Sequence, residues 1–141
     1  MTTFSGWECD IKIGTSASNM RGETAIAWQS AEFDFKNNCS RTHIGGQRIP
    51  EEIKEGLIEV AAKIARWYRA ETVLSDRAGV GDTGALTEYW IGIYPEGYAP
   101  NNIEYMMHGK FDTYKMNAKH DSRTGEESDF MCVDIAVADV A

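Results

Sequence analysis

The stretch EEIKEGLIEVAAKIARWYR, Glu51 to Arg69, decides the fold class, because it reads two ways. As a helix, Ile53, Leu57, Val60, Ala61, Ile64, Trp67 and Tyr68 recur at three- and four-residue spacing. Pro50 and two glutamates stand at its start, which makes an amphipathic helix with an entry signal. As a strand from Gly56 onward, Ile58, Val60, Ala62, Ile64 and Tyr68 share one face, interrupted only by Arg66. Glu59, Lys63 and Arg69 then share the other. Gly56 counts mildly against a continuous helix. Periodicity alone favours the helix, and with it an α+β fold; the strand makes the chain mainly β.

The segments on either side read as strands and turns. On the N-terminal side, Ala25 to Lys36 alternates, with Ala31, Phe33 and Phe35 on one face and Ser30, Glu32, Asp34 and Lys36 on the other. Asn37 to Pro50 is a long connection, too long for a simple link in a compact domain, and a binding or assembly loop is its natural use. Glu8 to Gly14 alternates around Cys9, Ile11 and Ile13, and Thr15 to Glu23 reads as a loop. On the C-terminal side, Ala70 to Ala78 has helix formers and a stop at Gly79, so a short helix is expected there. Val80 to Ala85 is a turn, and Thr87 to Tyr94 a strand with Tyr89, Ile91 and Ile93 on one face. Pro95 to Asn102 turns again, Ile103 to Met107 is a strand, and Gly109 marks a bulge or close backbone approach. Phe111 to His120 and Ser128 to Val137 flank the turn signal Asp121 to Gly125 and predict a long hairpin. In its second strand Met131, Val133, Ile135 and Val137 fall on one face, and Phe130, Cys132 and Asp134 on the other. With no repeat or linker, residues 1–141 form one domain.

Composition narrows the function. A chain of 141 residues, 43% hydrophobic and 26% charged, is ordinary for a folded domain with a real core. No apolar run approaches the ~20 residues that span a bilayer. Met1 to Asp10 lacks the basic and apolar regions of a signal peptide, so synthesis in the cytosol without export and no membrane partner are expected. A net charge of −8 argues against wrapping nucleic acid, which needs clustered Lys and Arg, but suits a surface that DNA must slide past. Cys9, Cys39 and Cys132 form no metal spacing; buried free thiols are the plain reading and a disulfide between subunits the sharper one. His43, His108 and His120 are isolated from one another.

Catalytic motifs are missing. The sequence holds no GxSxG, no phosphate loop and no dinucleotide fingerprint, and Gly79 to Gly84 lacks the Lys-Ser/Thr ending of a phosphate cradle. Glu126 with Glu127, and the run Asp34 to Asn38, are explained by a solvated strand face as well as by acid–base chemistry. Trp67, Tyr68, Tyr89, Trp90 and Tyr94 could line a ligand pocket, although core or inter-subunit packing is the commoner fate of such residues. Arg41 to Arg48 carries two arginines with His43 and suits a contact between proteins. No catalytic residue, metal or cofactor is expected.

The order of the pieces from about Gly6 to Val137 resembles the tail-tube, or major tail, proteins of tailed phages and related archaeal viruses. The resemblance rests on Trp7 to Gly14 and on the strand Ala27-Trp-Gln-Ser-Ala-Glu-Phe-Asp-Phe35 followed by a long loop. It rests further on the entry Pro50-Glu-Glu-Ile-Lys-Glu-Gly56 into a second long strand, and on Gly109-Lys-Phe-Asp-Thr-Tyr114 with Glu126 to Val137 as paired strands. It implies that Glu51 to Arg69 is mainly strand. It also implies a mainly-β, antiparallel sandwich or barrel with one short helix, assembling as hexameric rings that stack into a hollow tube, with no enzymatic activity. Two long hairpins per subunit would form the inner barrel, with Glu32, Asp34, Lys36, Glu59, Lys63, Lys115 and Asp134 lining the lumen. The loop at about 37–50, with Arg41, His43, Ile44 and Arg48, and the N-terminal Trp7 would bridge subunits and rings. Implied partners are further copies of the chain, a tail sheath if the tail contracts, a tape-measure protein and a baseplate hub. DNA would pass through without specific binding, in a virion tail assembled in the host cytoplasm. The tube of a contractile secretion or injection system shares this architecture, and a small ligand-binding or enzymatic β domain is the alternative of another class.

Overall fold

Glu59 to Trp67 is a strand, β5, so the helical reading of this stretch is corrected. The alternation of Val60, Ala62, Ile64 and Arg66 toward the interior wins because two neighbours flank the strand, β2 (Ser30–Lys36) and β8 (Gly125–Asp139). Tertiary pairing overrides helical periodicity when both patterns are present. The computed structural model describes residues 3, 6–43, 45–46, 48–49, 52–68, 74–81 and 83–141. Part of the expected entry, Pro50 and Glu51, lies outside them.

Six strands form one antiparallel sheet in the order β1-β6-β7-β8-β5-β2, with β1 at Asp10–Gly14, β6 at Tyr89–Tyr94 and β7 at Ile103–Asn117. Two three-residue strands, β3 (Ser40–Thr42) and β4 (Glu52–Lys54), pair separately. The fold is mainly β and the sheet is not closed into a barrel. Two short α-helices are present among the described residues, not one. The helix α2 (Leu74–Arg77) falls within the expected stretch, whereas α1 (Ala17–Gly22) forms where the sequence reads as loop. Ser16 caps α1 by accepting from the Asn19 N–H at 3.2 Å, and Met20 is fully buried, which is what holds so short a helix.

The expected strands at 103–107 and 111–120 are one 15-residue strand, β7, paired along its length with the 15-residue β8. Register shifts occur between His108 and Gly109 and between Phe111 and Thr113. At these bulges the sheet folds over itself. Phe33 of β2 and Tyr105 of β7 lie three strands apart in the sheet order, about 14 Å at ordinary strand spacing. Their ring centroids nevertheless stand only 6.2 Å apart. Ile11, Ile13, Ile91 and Met107 from one half thus pack in one core with Val60, Ala62, Ile64, Phe111 and Phe130 from the other. Gly109 sits at the fold, where an added Cβ would overlap the Met131 carbonyl oxygen.

The first shift also corrects the faces of the last strand. His108 opposes Asp134 but Gly109 opposes Cys132, leaving Val133 as the extra residue. Ile135 therefore joins Phe130 and Cys132 on the core side, while Asp134 turns to the other face.

Arg66, an interruption in the apolar pattern, is buried with its partner. Its Nε donates to Glu126 Oε1 at 2.6 Å, and the side chains are 2% and 0% exposed. Tyr114 donates to Glu126 Oε2 at 2.6 Å, and burial followed by this bond pushes the phenol up to about 12. Removing one charge of a buried pair strands the other, which costs about 3–5 kcal/mol. Glu126→Gln is expected to lose stability of that order in urea unfolding. Joint replacement of Arg66 and Glu126 by methionine and leucine is expected to recover most of it.

Candidate functional site

The fold leaves three features without intramolecular cover: a charged face, two sheet edges and an arm. The charged face belongs to the half-sheet of β2, β5, β8 and the distal part of β7. Strand alternation places Glu32, Asp34 and Lys36 of β2 beside Glu59 and Lys63 of β5, Glu127 and Asp129 of β8, and Lys110 and Lys115 of β7. Six of the seven residues expected to share a surface, Glu32, Asp34, Lys36, Glu59, Lys63 and Lys115, lie together here. Asp134 lies beyond the fold in the sheet, opposite His108. Cross-strand register sets opposite charges face to face: Lys63 stands between Glu32 and Asp129, Lys36 opposes Glu59, and Lys115 opposes Glu127. Lys63 Nζ also lies 3.8 Å from Glu127 Oε2. The face is a checkerboard with a small acidic excess.

The corresponding face of the other half-sheet is closed by α1. Met20 packs there with Tyr94 and Val140, against Trp90 and Met106. A lock around the buried Glu104 carboxylate holds the helix down. Arg21 donates to Glu104 from Nε at 3.2 Å and from Nη2 at 2.9 Å, and Tyr94 donates to the same carboxylate at 2.6 Å. The Arg21 hydrogen bonds hold the Glu104 carboxyl below the usual carboxylate range. Lys12 Nζ donates to the Arg21 carbonyl at 3.0 Å and lies 3.4 Å above the Tyr98 ring. The charged face is thus the face of the six-stranded sheet that neither α1 nor the core covers.

The edges of this half-sheet are β2 and the distal stretch of β7, from Asp112 to Asn117, since β6 pairs only as far as Gly109. All pairings are antiparallel, so these outer strands run antiparallel to each other. Joining β7 of one copy to β2 of the next continues the alternation without a mismatch. Such a contact is heterologous and propagates until it closes.

The long connection forms an arm with its own structure. It leaves β2 at Asn37 and returns at Ile58, further than the expected end at 50, and β3 and β4 pair inside it. Its base is pinched: the Gly56 N–H donates to the Asn37 carbonyl at 3.0 Å, and Asn38 Nδ2 to the Leu57 carbonyl at 2.7 Å. A Cβ at Gly56 would overlap the Asn38 carbonyl oxygen. Arg41, His43 and Arg48 are exposed; Ile44 lies outside the described residues. Ile53, Leu57 and Ile58 are exposed as well, and Trp7, near the first residue of the chain, is 84% exposed.

The three cysteines are unpaired within the chain. Cys9 and Cys132 are half-buried. Burial, and Asp10 after it, raises the Cys9 thiol; burial, and Asp134 after it, pushes Cys132 up to about 12. Both are therefore held as unreactive thiols, and Cys39 on the arm is the exposed one. No cluster of His, Cys, Asp or Glu suited to a metal occurs among the described residues.

The aromatic residues singled out in the sequence do not form one pocket. Tyr89 packs edge-on against Phe111, Trp90 stacks on His108 at 4.0 Å, and Tyr94 is in the α1 lock. Trp67 and Tyr68 instead line a surface cleft of about 570 Å³ with Ala27, Trp28, Arg66, Arg123 and Thr124. Sequence reasoning missed Trp28, which comes to Trp67 through the β2–β5 register, and Arg123, which comes through the β5–β8 register.

No family model and no curated protein matches the sequence. Solved structures do match. A chain from the tail of an empty GTA particle with C6 symmetry superposes with a TM-score of 0.72 at 14% identity, covering 99% of this chain and 100% of that one. The SPP1 tail tube gives 0.71 at 5% identity over 99% of this chain and 81% of that one. A chain of the sheath–tube complex of an extracellular contractile injection system, PVC, gives 0.70 at 11% identity over 98% and 93%. These likenesses run through the whole sheet and not one half of it, and the chain has the fold of the tail-tube proteins.

Proposed function

We propose that the chain is the structural subunit of a hollow virion tail tube through which the viral genome is conducted, and that it acts by assembly and not by catalysis. The observation that carries this reading is the β2–β5–β8–β7 half-sheet. It has one apolar face in the core, one bare charged face, and two free edges whose directions allow copies to join side by side. Closing such a ring satisfies both edges of the half-sheet and leaves the charged faces lining a channel. The C6 symmetry of the GTA tail of the same fold supports six copies per ring.

The lumen surface would then carry Glu32, Asp34, Lys36, Glu59, Lys63 and Lys115, with Asp134 toward one rim. Each of Lys36, Lys63 and Lys115 opposes a carboxylate in register, so these cations do not stand alone before a passing phosphate. Repulsion from the acidic excess is screened within about 10 Å at 0.1 M salt. A polyanion meets a surface that neither holds it nor repels it far, which favours DNA as cargo. The arm, with Arg41, His43, Ile44 and Arg48, and the exposed Trp7 would join subunits and rings, and Cys39 is the thiol placed for a disulfide between copies. A sheath, a tape-measure protein and a baseplate hub are the partners such a tube needs, in a tail assembled in the host cytoplasm. The likeness to a chain of an injection-system sheath–tube complex supports the same architecture in a second setting, where the cargo differs.

Electron microscopy of the purified, concentrated protein tests the reading. Hollow rings or tubes are expected. A monodisperse monomer or dimer at every concentration and salt tried would leave the free edges unexplained and overturn it.

A further inference from the structure

The cleft around Trp67 lies at the opposite end of β5 from the root of the arm. β5 begins at Glu59, where the arm returns, and ends at Trp67, which pairs with Gly125 beside the β7–β8 turn. Nine residues of strand separate the two by about 26 Å. Trp28, Trp67, Tyr68 and Arg123 line the cleft. A second hollow of about 380 Å³, also lined by Trp67, shares Arg123 and adds Lys119. Aromatic and arginine side chains around a concave, partly desolvated site are the composition of a protein-binding hot spot. Arg123 and Lys119 are exposed and form no ion pair among the described residues.

The arm has the opposite need. Its paired strands are three residues each, all exposed, and a hairpin of that size is not stable alone in water. Ile53 is 63% exposed and Leu57 is 86% exposed. Glu52 and Glu55 flank Ile53 and carry the charge that Arg123 and Lys119 lack.

We propose that the Trp67 cleft is the socket for the arm of a second copy of this chain, with Ile53 and Leu57 entering among Trp28, Trp67 and Tyr68 and Glu55 meeting Arg123. The proposal rests on the tube reading and adds the axial contact to it. A copy carrying a socket at one end and a plug at the other joins the next by translation along β5, with no closing limit. The edge contacts build the ring; this contact stacks it. The same aromatic residues therefore serve no small ligand.

Cross-linking between two preparations tests this. Both carry Cys39→Ser to remove the exposed native thiol; one carries Arg123→Cys and the other Glu55→Cys, at exposed positions that do not threaten folding. The two are mixed, assembled and oxidised with diamide. A disulfide-linked pair of chains joining positions 123 and 55 is expected in the assembled fraction and not in the dissociated protein. Glu32→Cys mixed with Arg123→Cys is expected to give none. In parallel, Arg123→Glu is expected to lower polymer mass at least about tenfold by setting like charges together, and Arg123→Glu with Glu55→Arg to restore most of it. Normal tubes without the 123–55 link, or with equal linking from position 32, would overturn the socket while leaving the tube reading intact. Failure of the unsubstituted chain to form any ring or tube would overturn the tube reading and the socket with it.

Discussion

Gly109→Val is expected to cost the folded state itself, by more than about 4 kcal/mol in a domain whose whole stability is about 5–15 kcal/mol. A Cβ at this position would overlap the Met131 carbonyl oxygen and lie 2.8 Å from the Cys132 Cα. Both obstacles are backbone, so no side-chain rotation relieves the overlap. Nor can β8 retreat, because Met131 is registered on its other side against Ala61 of β5. Displacing β8 would open the β5–β8 ladder and lift Phe130 from the core. The site also lies at the first register shift, where β7 and β8 pass from one half-sheet to the other. The change therefore strikes the bend that brings Met107 and Phe111 into one cluster. Loss of the cooperative urea transition, with collapse of the near-ultraviolet circular dichroism, is the expected readout. Gly84→Ala is the control: nothing lies within 4 Å of its added Cβ, and a change within about 0.5 kcal/mol is expected. An unchanged transition for Gly109→Val would mean that the strands do not approach closely there, and the folded-over sheet would have to be redrawn.

That bend also marks how far the sequence could be read. Alternation is a local signal, and it placed β2, β6 and both strands of the last hairpin because each keeps one face toward the core. It failed where a single residue was inserted. Val133 shifts the faces of β8, and nothing in the string Phe130-Met-Cys-Val-Asp-Ile135 announces a bulge; only its partner Gly109 carried a hint. The helix α1 was illegible for a related reason. Its six residues have weak helical character, and what holds them is Met20 under Tyr94 and Arg21 on Glu104, contacts with residues more than seventy positions away. Arg66 looked like a fault in a strand because its partner, Glu126, is sixty residues distant. For the charged face the situation reverses. Glu32, Asp34 and Lys36 were legible as one face because period-2 spacing needs no tertiary knowledge; Glu59 and Lys63 joined them only through the strand reading that the resemblance implied, and cross-strand register places the two sets side by side. Which partner Trp67 meets was not legible, since the cleft is assembled from three separate segments of the chain.

Excising residues 39–54 and joining Asn38 to Glu55 through one glycine is expected to abolish tubes while sparing the fold. The graft is possible because the arm is closed at its root. The Gly56 N–H reaches the Asn37 carbonyl at 3.0 Å, so the shortened chain is a three-residue hairpin loop with its closing bond in place. Asn38 already has a positive φ of 51°, a conformation that such loops use. Little stability should be lost, within about 1 kcal/mol, because β3 and β4 are wholly exposed and a shorter loop costs less entropy to close. The core, the α1 lock and both free edges are untouched. Assembly should respond differently. Edge-to-edge joining of β7 to β2 needs no arm, so rings remain accessible, but Ile53 and Glu52 are gone and Glu55 is drawn back into the tight loop at the root. The expected result in sedimentation and negative-stain microscopy is therefore monomer and single rings, with thermal unfolding close to that of the parent and no stacked tubes at any concentration. Tubes of normal length from the excised chain would show that rings stack through the ring faces alone. A chain that no longer forms rings either would place the arm across the β2–β7 seam instead of between rings, because β2 is the strand from which the arm departs.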